Sequence, residues 1–459
     1  MLFKKIESEF HSLATKNEVG LKETLRKVDQ IIQNEGLVFK GKALPFSVQP
    51  LAITDEENDY FKRASEILSD SLEIVLDAYE KDTEIREYFS YYSKYEKLIN
   101  INPGYERNIR ISRFDCIWNG GYEFKVVEPN ACCPGGVVVL GKLKEKWLDL
   151  PIIKEITNSY EKKQFLCDTP NGFLNELVSA YREMGGNEEE PQIALVNYAE
   201  KYSYELEHIQ RYGCEMGYKI IICDLRDLKL DSQGKRLMFN QQPIDIIYNK
   251  VDQLELGNED MKDVIEACER GLVCNVNSYS SMFIGESKMT LALLTDSKFQ
   301  EKYLSKEQIE MVDKHILWTR KLEDTTTSFK GEEVNLIPYI IENKDLFVLK
   351  VDNSTRGENV LLGKYTNHET WSKIIKDNKN ENWIVQEYNE IPSVEILECK
   401  GENIIKENKK FGIDIFMFGG KYAGIVSRIS DKAVINLGQG GYEQPVIALK
   451  AIKEEVASI

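Results

Sequence analysis

The segment from Ile109 to Glu128 constrains the fold of this chain most, because two alternating runs flank an Asn119-Gly120-Gly121 turn there. Ile109 to Trp118 and Tyr122 to Glu128 alternate apolar and polar residues with the period of a half-buried strand. Asn-Gly between two such runs predicts a hairpin. Side chains repeat every second residue along a strand, so Arg113 and Asp115 share one face, as do Glu128 and Asn130. Two carboxylates and an amide carbonyl are hard oxygen donors, and Mg²⁺ takes such donors while completing its octahedron with water and substrate phosphates. The planar fork of Arg113 suits a phosphate or acyl-phosphate oxygen beside them. The same residues also fit a solvated sheet face with cross-strand pairs, which is the commoner arrangement. Register decides between the two. A strict two-residue turn would set Glu128 opposite Ile111, about 13 Å along the strand from Asp115. The metal reading therefore requires a wider loop, near Asn119 to Phe124, with Glu128 opposite Asp115; the paired glycines suit a bulged loop.

A chain of 459 residues exceeds the usual size of one hydrophobic core and predicts two or three domains. The net charge of −17 lacks the basic footprint that a nucleic-acid backbone needs. No apolar run reaches the length of a bilayer span, and the start at Met1-Leu-Phe-Lys-Lys lacks the apolar stretch of a secretory signal. The expectation is a cytoplasmic protein with neither a nucleic-acid nor a membrane partner. Nine cysteines without a Cys-x-x-Cys pair point to reduced thiols. The four histidines lie far apart, which leaves a zinc site or a Ser-His-Asp triad without support. Catalysis would fall to carboxylates, arginines, lysines and a hard metal.

The pattern predicts an α/β chain in three parts. Residues 1–185 form a helical N-terminal region carrying the hairpin, with apolar spacing of three and four over Lys22–Asn34 and Glu57–Tyr79. After the Gly-, Glu- and Pro-rich stretch Met184–Pro191, residues 186–285 form a small parallel α/β domain. Its expected strands are Gln192–Asn197, Tyr218–Cys223 and Pro243–Tyr248, and its helix is Tyr202–Met216. Residues 286–459 carry strand pairs: Leu346–Lys350 with Asn359–Leu362, then Trp383–Tyr388, then Phe411–Phe418 with Tyr422–Ile429.

Several short constellations stand on these elements. Lys350 ends a strand before the polar loop Asp352–Asn359, which contains Arg356 and Gly357 and suits nucleotide phosphates; an ordinary polar hairpin loop fits as well. Ile384-Val-Gln386-Glu387-Tyr388 could offer backbone groups and an aromatic wall to an adenine, or simply leave the core. Arg428 precedes the glycine-rich Ile435–Gly441 and suits a transferring phosphate, or a surface position on an edge strand.

The order of these pieces is more telling than any one of them. Arg113-x-Asp115, Glu128-x-Asn130, Ser287-Lys288, Val348-Leu-Lys350 with Arg356-Gly357, Val385-Gln386-Glu387 and Gly424-Ile-Val-Ser-Arg428 together resemble the circularly permuted ATP-grasp ligases, of which the glutathionylspermidine synthase family is the best known. The likeness runs over about Arg110–Gly136 and from Gly285 onward. It implies an ATP-grasp fold, ATP and Mg²⁺ as cofactors, and an ADP-forming ligase joining a small-molecule or peptide carboxylate to an amine through an acyl phosphate. By the same resemblance Asp115, Glu128 and Asn130 match the magnesium ligands. Arg113 and Arg428 match the arginines at the reacting centre. Lys288 and Lys350 match the phosphate lysines, and Gln386 and Glu387 fall on the adenine strand, with Tyr388 after them. Two departures stand out. A long stretch with Trp318-Thr-Arg320 separates Lys288 from Lys350, and Val351 replaces a proline. The resemblance thus carries the chemistry and not glutathione or spermidine as substrates. A phosphotransferase and a non-catalytic nucleotide-binding protein remain alternatives on the same fold.

Overall fold

The computed structural model describes residues 2–39, 41–354, 359–400, 403–433, 435, 437 and 440–451. Arg356 and Gly357, and Asn436, Gly438 and Gln439 of the glycine-rich run, lie outside the described residues. The strands that position the site are β1 (Leu51–Thr54), β2 (Ile111–Trp118), β3 (Phe124–Asn130), β4 (Gln192–Asn197), β5 (Lys219–Asp224), β6 (Ile246–Asn249), β7 (Cys274–Val276) and β8 (Thr319–Lys321). They continue as β9 (Phe347–Val351), β10 (Val360–Leu362), β11 (Trp383–Glu387), β12 (Ser393–Lys400), β13 (Asn403–Phe418), β14 (Lys421–Ser430), β15 (Tyr442–Gln444) and β16 (Val446–Ala451).

The glycine turn opens a wide loop, one residue shorter than the Asn119-to-Phe124 loop that the metal reading requires. Trp118 pairs with Phe124, and residues 119–123 close the hairpin. The Asn119 N–H donates to the Glu123 carbonyl at 2.9 Å, while Gly120 and Gly121 take φ of 96° and 57°, a region open to glycine at no steric cost. A second irregularity sets the functional face. Cys116 pairs with Val126 but Asp115 pairs with Glu128, so Val127 is a bulge residue. In an unbroken ladder Asp115 would face Val127, and Glu128 would point to the other side of the sheet. The bulge therefore brings Asp115 and Glu128 together, and likewise Arg113 and Asn130.

The hairpin is the end of an antiparallel sheet in the order β15-β14-β13-β2-β3, with β12 paired to the first half of β13. A helix over Asp55–Lys81, two residues longer at each end than the apolar spacing predicts, supports it from below. Its start is fixed by a capping box: Thr54 Oγ1 accepts from the Glu57 N–H, and Glu57 accepts from the Thr54 N–H. Phe61 from this helix packs against Trp118 and Phe124 at centroid distances of 5.8 and 5.4 Å. The parallel sheet has the order β7-β6-β4-β5, with a helix over Tyr204–Glu215 between β4 and β5. An antiparallel sheet β8-β11-β9-β10 has its own small core around Phe347, Leu349, Trp371 and Val385. The main core runs from Phe3 to Leu449 through the other sheets. Among the described residues no helix is long and apolar enough to cross a membrane, and Cys116, Cys132, Cys133, Cys167, Cys214, Cys223, Cys268 and Cys274 are free thiols.

His315 ties this frame together. Its ring stacks on Phe124 at 3.9 Å, Nδ1 lies 2.9 Å from the Phe124 carbonyl, and Nε2 lies 2.8 Å from the Tyr60 hydroxyl. Burial drives it from an ordinary 6.5 down to about 4, helped by Lys314 and Lys125, so it sits neutral. Because the unfolded chain takes the proton first, its contribution is complete above 6.5 and is lost as pH falls toward 4. The loss should approach roughly 3 kcal/mol. Denaturant unfolding of the wild type and of His315→Gln should therefore converge by about that amount over this acid range. A gap that does not change with pH would contradict a buried neutral imidazole.

Candidate active site

A cleft of about 900 Å³, counting its open mouth, lies where the hairpin sheet meets the β8–β11 sheet. One wall carries Asp115, Glu128, Asp414 and Arg428; the other carries Lys350, Gln386, Glu387 and Tyr388. Leu317, Val348, Val360, Leu362 and Ile391 make part of it apolar. Segments more than three hundred residues apart in sequence thus meet in one place.

Asp115 is the centre of the charged wall. Arg113 grips both of its oxygens, Nε to Oδ1 at 2.7 Å and Nη2 to Oδ2 at 3.0 Å. Arg428 Nη2 reaches Oδ2 at 2.6 Å, and the Asn130 amide donates to Oδ1 at 2.9 Å. Burial alone would raise the Asp115 pKa, but Arg113 and Arg428 outweigh it and hold the carboxyl near 2. The remaining Arg113 amine donates to the Gly135 carbonyl at 2.7 Å, which orients the guanidinium along the hairpin. Arg428 also holds Asp414, with Nη2 2.6 Å from Oδ1 and Nε 2.6 Å from Oδ2. Asp414 stands directly across from Asp115 in the ladder.

Two lysines converge from the other side. Lys288 Nζ lies 3.6 Å from Glu128 Oε2 and donates to the carbonyls of Asp352 and Ser354 at 3.0 and 2.9 Å. Lys350 Nζ donates to the Val127 carbonyl at 3.0 Å and to Gln386 Oε1 at 2.8 Å. The Gln386 amide then donates to Thr319 Oγ1 at 3.0 Å, so this side chain is turned toward the lysine. Glu387 pairs with Lys330 at 2.9 Å, and the Tyr388 hydroxyl donates to Glu390 at 3.1 Å.

Burial drives Lys350 from 10.5 down to about 8; Lys288 adds to the shift, and Glu128 and Asp115 oppose it. A polyanion held by this ammonium should therefore bind best below about 8 and weaken as pH rises and the free protein loses the proton. The loss should be roughly tenfold or more, the scale of one charge-assisted hydrogen bond. ATP titrations from neutral pH to about 9 check it, and Lys350→Met should flatten the profile. Undiminished affinity at high pH would place the phosphates elsewhere.

The donor set fits Mg²⁺ in one particular way. Among the described residues no three His, Cys, Asp or Glu side chains gather closely enough to hold a metal by themselves. Magnesium characteristically uses one or two carboxylates and takes its other ligands from phosphates and water. Glu128 and the ionised Asp115 offer that pair, with the Asn130 amide oxygen beside them.

Residues missed in the sequence also belong to the site. Asp414 and Glu443 place acidic side chains in otherwise buried strands, and Thr319 holds Gln386. Asp352, fully buried, accepts from the Tyr92 hydroxyl at 2.6 Å, from Ser287 at 2.8 and 2.9 Å, and from the Met289 N–H at 3.0 Å. Arg320, in the long stretch between the lysines, stacks on Trp318 and donates to Thr327, Thr295 and the Thr319 carbonyl, which makes it part of the scaffold.

No protein-family profile and no curated protein matches the chain. Solved structures do. A glutathione synthetase-like effector from Globodera pallida, in its apo form, superposes with a TM-score of 0.61 at 13% identity, covering 93% of this chain and 97% of that one. A putative gamma-glutamylcysteine synthetase from Methylobacillus flagellatus gives 0.42 at 11% identity, covering 83% and 88%. A D-alanyl-alanine synthetase A from Vibrio cholerae gives 0.28 at 9% identity, covering 49% and 68%. The first of these, together with the mixed helix-and-sheet architecture, shows an α/β ATP-grasp fold.

Proposed function

We propose that this chain is an ATP- and Mg²⁺-dependent carboxylate–amine ligase that forms an amide bond through an acyl phosphate. The observation that carries this reading is the meeting of Arg113, Asp115, Glu128, Lys288, Lys350 and Arg428 around one cleft, with an apolar slot beside the lysines. The metal-bearing hairpin precedes both phosphate lysines in the chain, which supports a circularly permuted arrangement.

The adenine would lie in the slot of Val348, Val360, Leu362 and Ile391, against Glu387 and Tyr388. Lys350, oriented by Gln386, and Lys288, oriented by the Asp352 and Ser354 carbonyls, would grip the phosphates. Arg356 and Gly357 are proposed to join them from the loop that follows Lys350. Mg²⁺, held by Asp115, Glu128 and Asn130, would neutralise charge on those phosphates when bound. A carboxylate oxygen of the acid then attacks the γ-phosphorus, and the bond to the ADP oxygen breaks. The amine nitrogen attacks the acyl carbon, and phosphate leaves. Positioning and charge stabilisation carry such steps. Arg113 and Arg428 sit where they can exchange Asp115 for a phosphoryl oxygen or the tetrahedral oxyanion. The substrates are proposed to be a small-molecule or peptide carboxylate and an amine.

Hydroxylamine trapping tests the reading. ATP, Mg²⁺ and a panel of amino acids and short peptides should release ADP and yield a hydroxamate with the correct acid. Phosphate appearing on an acceptor without hydroxamate would make the protein a phosphotransferase. ATP binding without ADP release across the panel would make it a binding module.

A further inference from the structure

Arg113 and Arg428 face three buried carboxylates, not two. Asp115 and Asp414 share the guanidinium donors. Glu443 on β15 is the third, directly across the ladder from Arg428. It is 6% exposed, and its Oε2 has no hydrogen-bond partner among the described residues. Its backbone is fixed on both sides, the N–H donating to the Pro45 carbonyl and the carbonyl accepting from the Ser47 N–H. The charged groups it faces are Arg428, Asp414, Arg113 and Asp115. Of the neighbouring lysines on β13, Lys409 is already shared by Glu398, Glu407 and Asp431, and Lys410 donates to the Ile391 carbonyl at 2.8 Å and lies 3.7 Å from Glu390. A buried carboxylate without a cation is costly, and a buried orphan acceptor more so. With the protein alone, burial pushes Glu443 up to about 7, despite Arg428 nearby, so that a proton serves as the missing cation.

We propose that Asp414, on the cleft wall, and Glu443, buried across the ladder from Arg428, form a subsite for the ammonium group of the amine substrate. The inference rests on the ligase reading and names which groups of this chain take the nucleophile. An ammonium fits this place because one carboxylate oxygen is left to accept a single N–H. Once Arg113 and Arg428 turn toward phosphoryl oxygens, Asp414 also loses part of its compensation and can accept a second. In the coupling step the ammonium gives one proton to the Glu443 carboxylate. The freed lone pair then forms the C–N bond while the C–O bond to phosphate breaks, and the second proton leaves with the phosphate.

Thermal stabilisation of the full chain, with ATP–Mg²⁺ present, tests the subsite using glycinamide as the amine probe. Tetramethylammonium, a cation with no N–H to donate, serves as the control at equal ionic strength. Wild type should be stabilised by glycinamide and not by tetramethylammonium. Glu443→Gln should weaken the glycinamide response roughly ten- to a hundredfold, the scale of one charge-assisted hydrogen bond, and Glu443→Asp should restore part of it. Asp414→Asn is the second variant. It also loosens Arg428, so its ATP–Mg²⁺ shift is read alongside as a check on folding. An equal glycinamide response in wild type and Glu443→Gln would overturn the subsite, as would an equal response to tetramethylammonium, or no glycinamide response while ATP–Mg²⁺ still stabilises. Absence of any ATP–Mg²⁺ stabilisation would instead sink the ligase reading itself.

Discussion

Arg428→Ala should destabilise the fold by about 3–5 kcal/mol and reduce amide formation at least a hundredfold. Both effects follow from one guanidinium. Arg428 is 9% exposed and bonds Asp115 and Asp414 at 2.6 Å. Without it Arg113 alone faces three buried carboxylates, and Arg113 approaches Asp414 only at 4.0 Å. Removing one partner of a buried charge cluster leaves an uncompensated charge, which is far worse than losing a surface pair. The catalytic loss has a separate origin, since a donor preorganised for developing oxyanion charge is gone. Denaturant unfolding and hydroxamate yield measured on the same preparation separate the two. A stability loss under about 1 kcal/mol would show the carboxylates to be solvated rather than held by this residue.

Asp352→Ala should cost a comparable amount, roughly 3–5 kcal/mol, and weaken ATP binding as well. The carboxylate satisfies the Tyr92 hydroxyl, the Ser287 hydroxyl and the Met289 N–H, all buried, in a single fully enclosed position. Alanine would take this acceptor from the Tyr92 and Ser287 hydroxyls at once and leave the Met289 N–H only Ser287 Oγ at 3.2 Å. It would also release the start of the chain segment whose carbonyls, at Asp352 and Ser354, hold Lys288. The nucleotide effect is therefore indirect and should appear as a weaker affinity for ATP. Unchanged ATP affinity in a destabilised variant would separate this anchor from the phosphate site.

Much of this arrangement is legible in the sequence, and what escapes does so for physical reasons. The alternating runs around Asn119-Gly120-Gly121 mark the hairpin, and a shared site for Asp115 and Glu128 carries the condition that its loop be wider than two residues. The bulge at Val127 leaves no mark, because valine fits an extended strand with or without an extra residue. Strands β4, β5 and β6 announce themselves as apolar runs, whereas β7 has three residues and no period to read. The Lys- and Glu-rich β12 and first half of β13 carry no apolar alternation strong enough to read as strands. Asp414 is hidden differently. Ile413 and Ile415 bury one face of its strand, and only the pairing of β13 with β2, some three hundred residues apart, shows what it faces. Glu443 depends on that pairing and on two more local ones, from β15 through β14 to β13. Charge clusters assembled by long-range register cannot be read from local pattern, and that is where the amine subsite lies.

The most direct measurement is ATP binding by calorimetry, with and without Mg²⁺, in wild type and in Glu128→Gln. A nucleotide cleft with its magnesium end on the β2–β3 hairpin predicts one ATP per chain, tightened by Mg²⁺, with the Mg²⁺-dependent part lost and affinity reduced roughly tenfold or more in Glu128→Gln. ATP bound equally well by both proteins, or no ATP bound by the wild type, would contradict it.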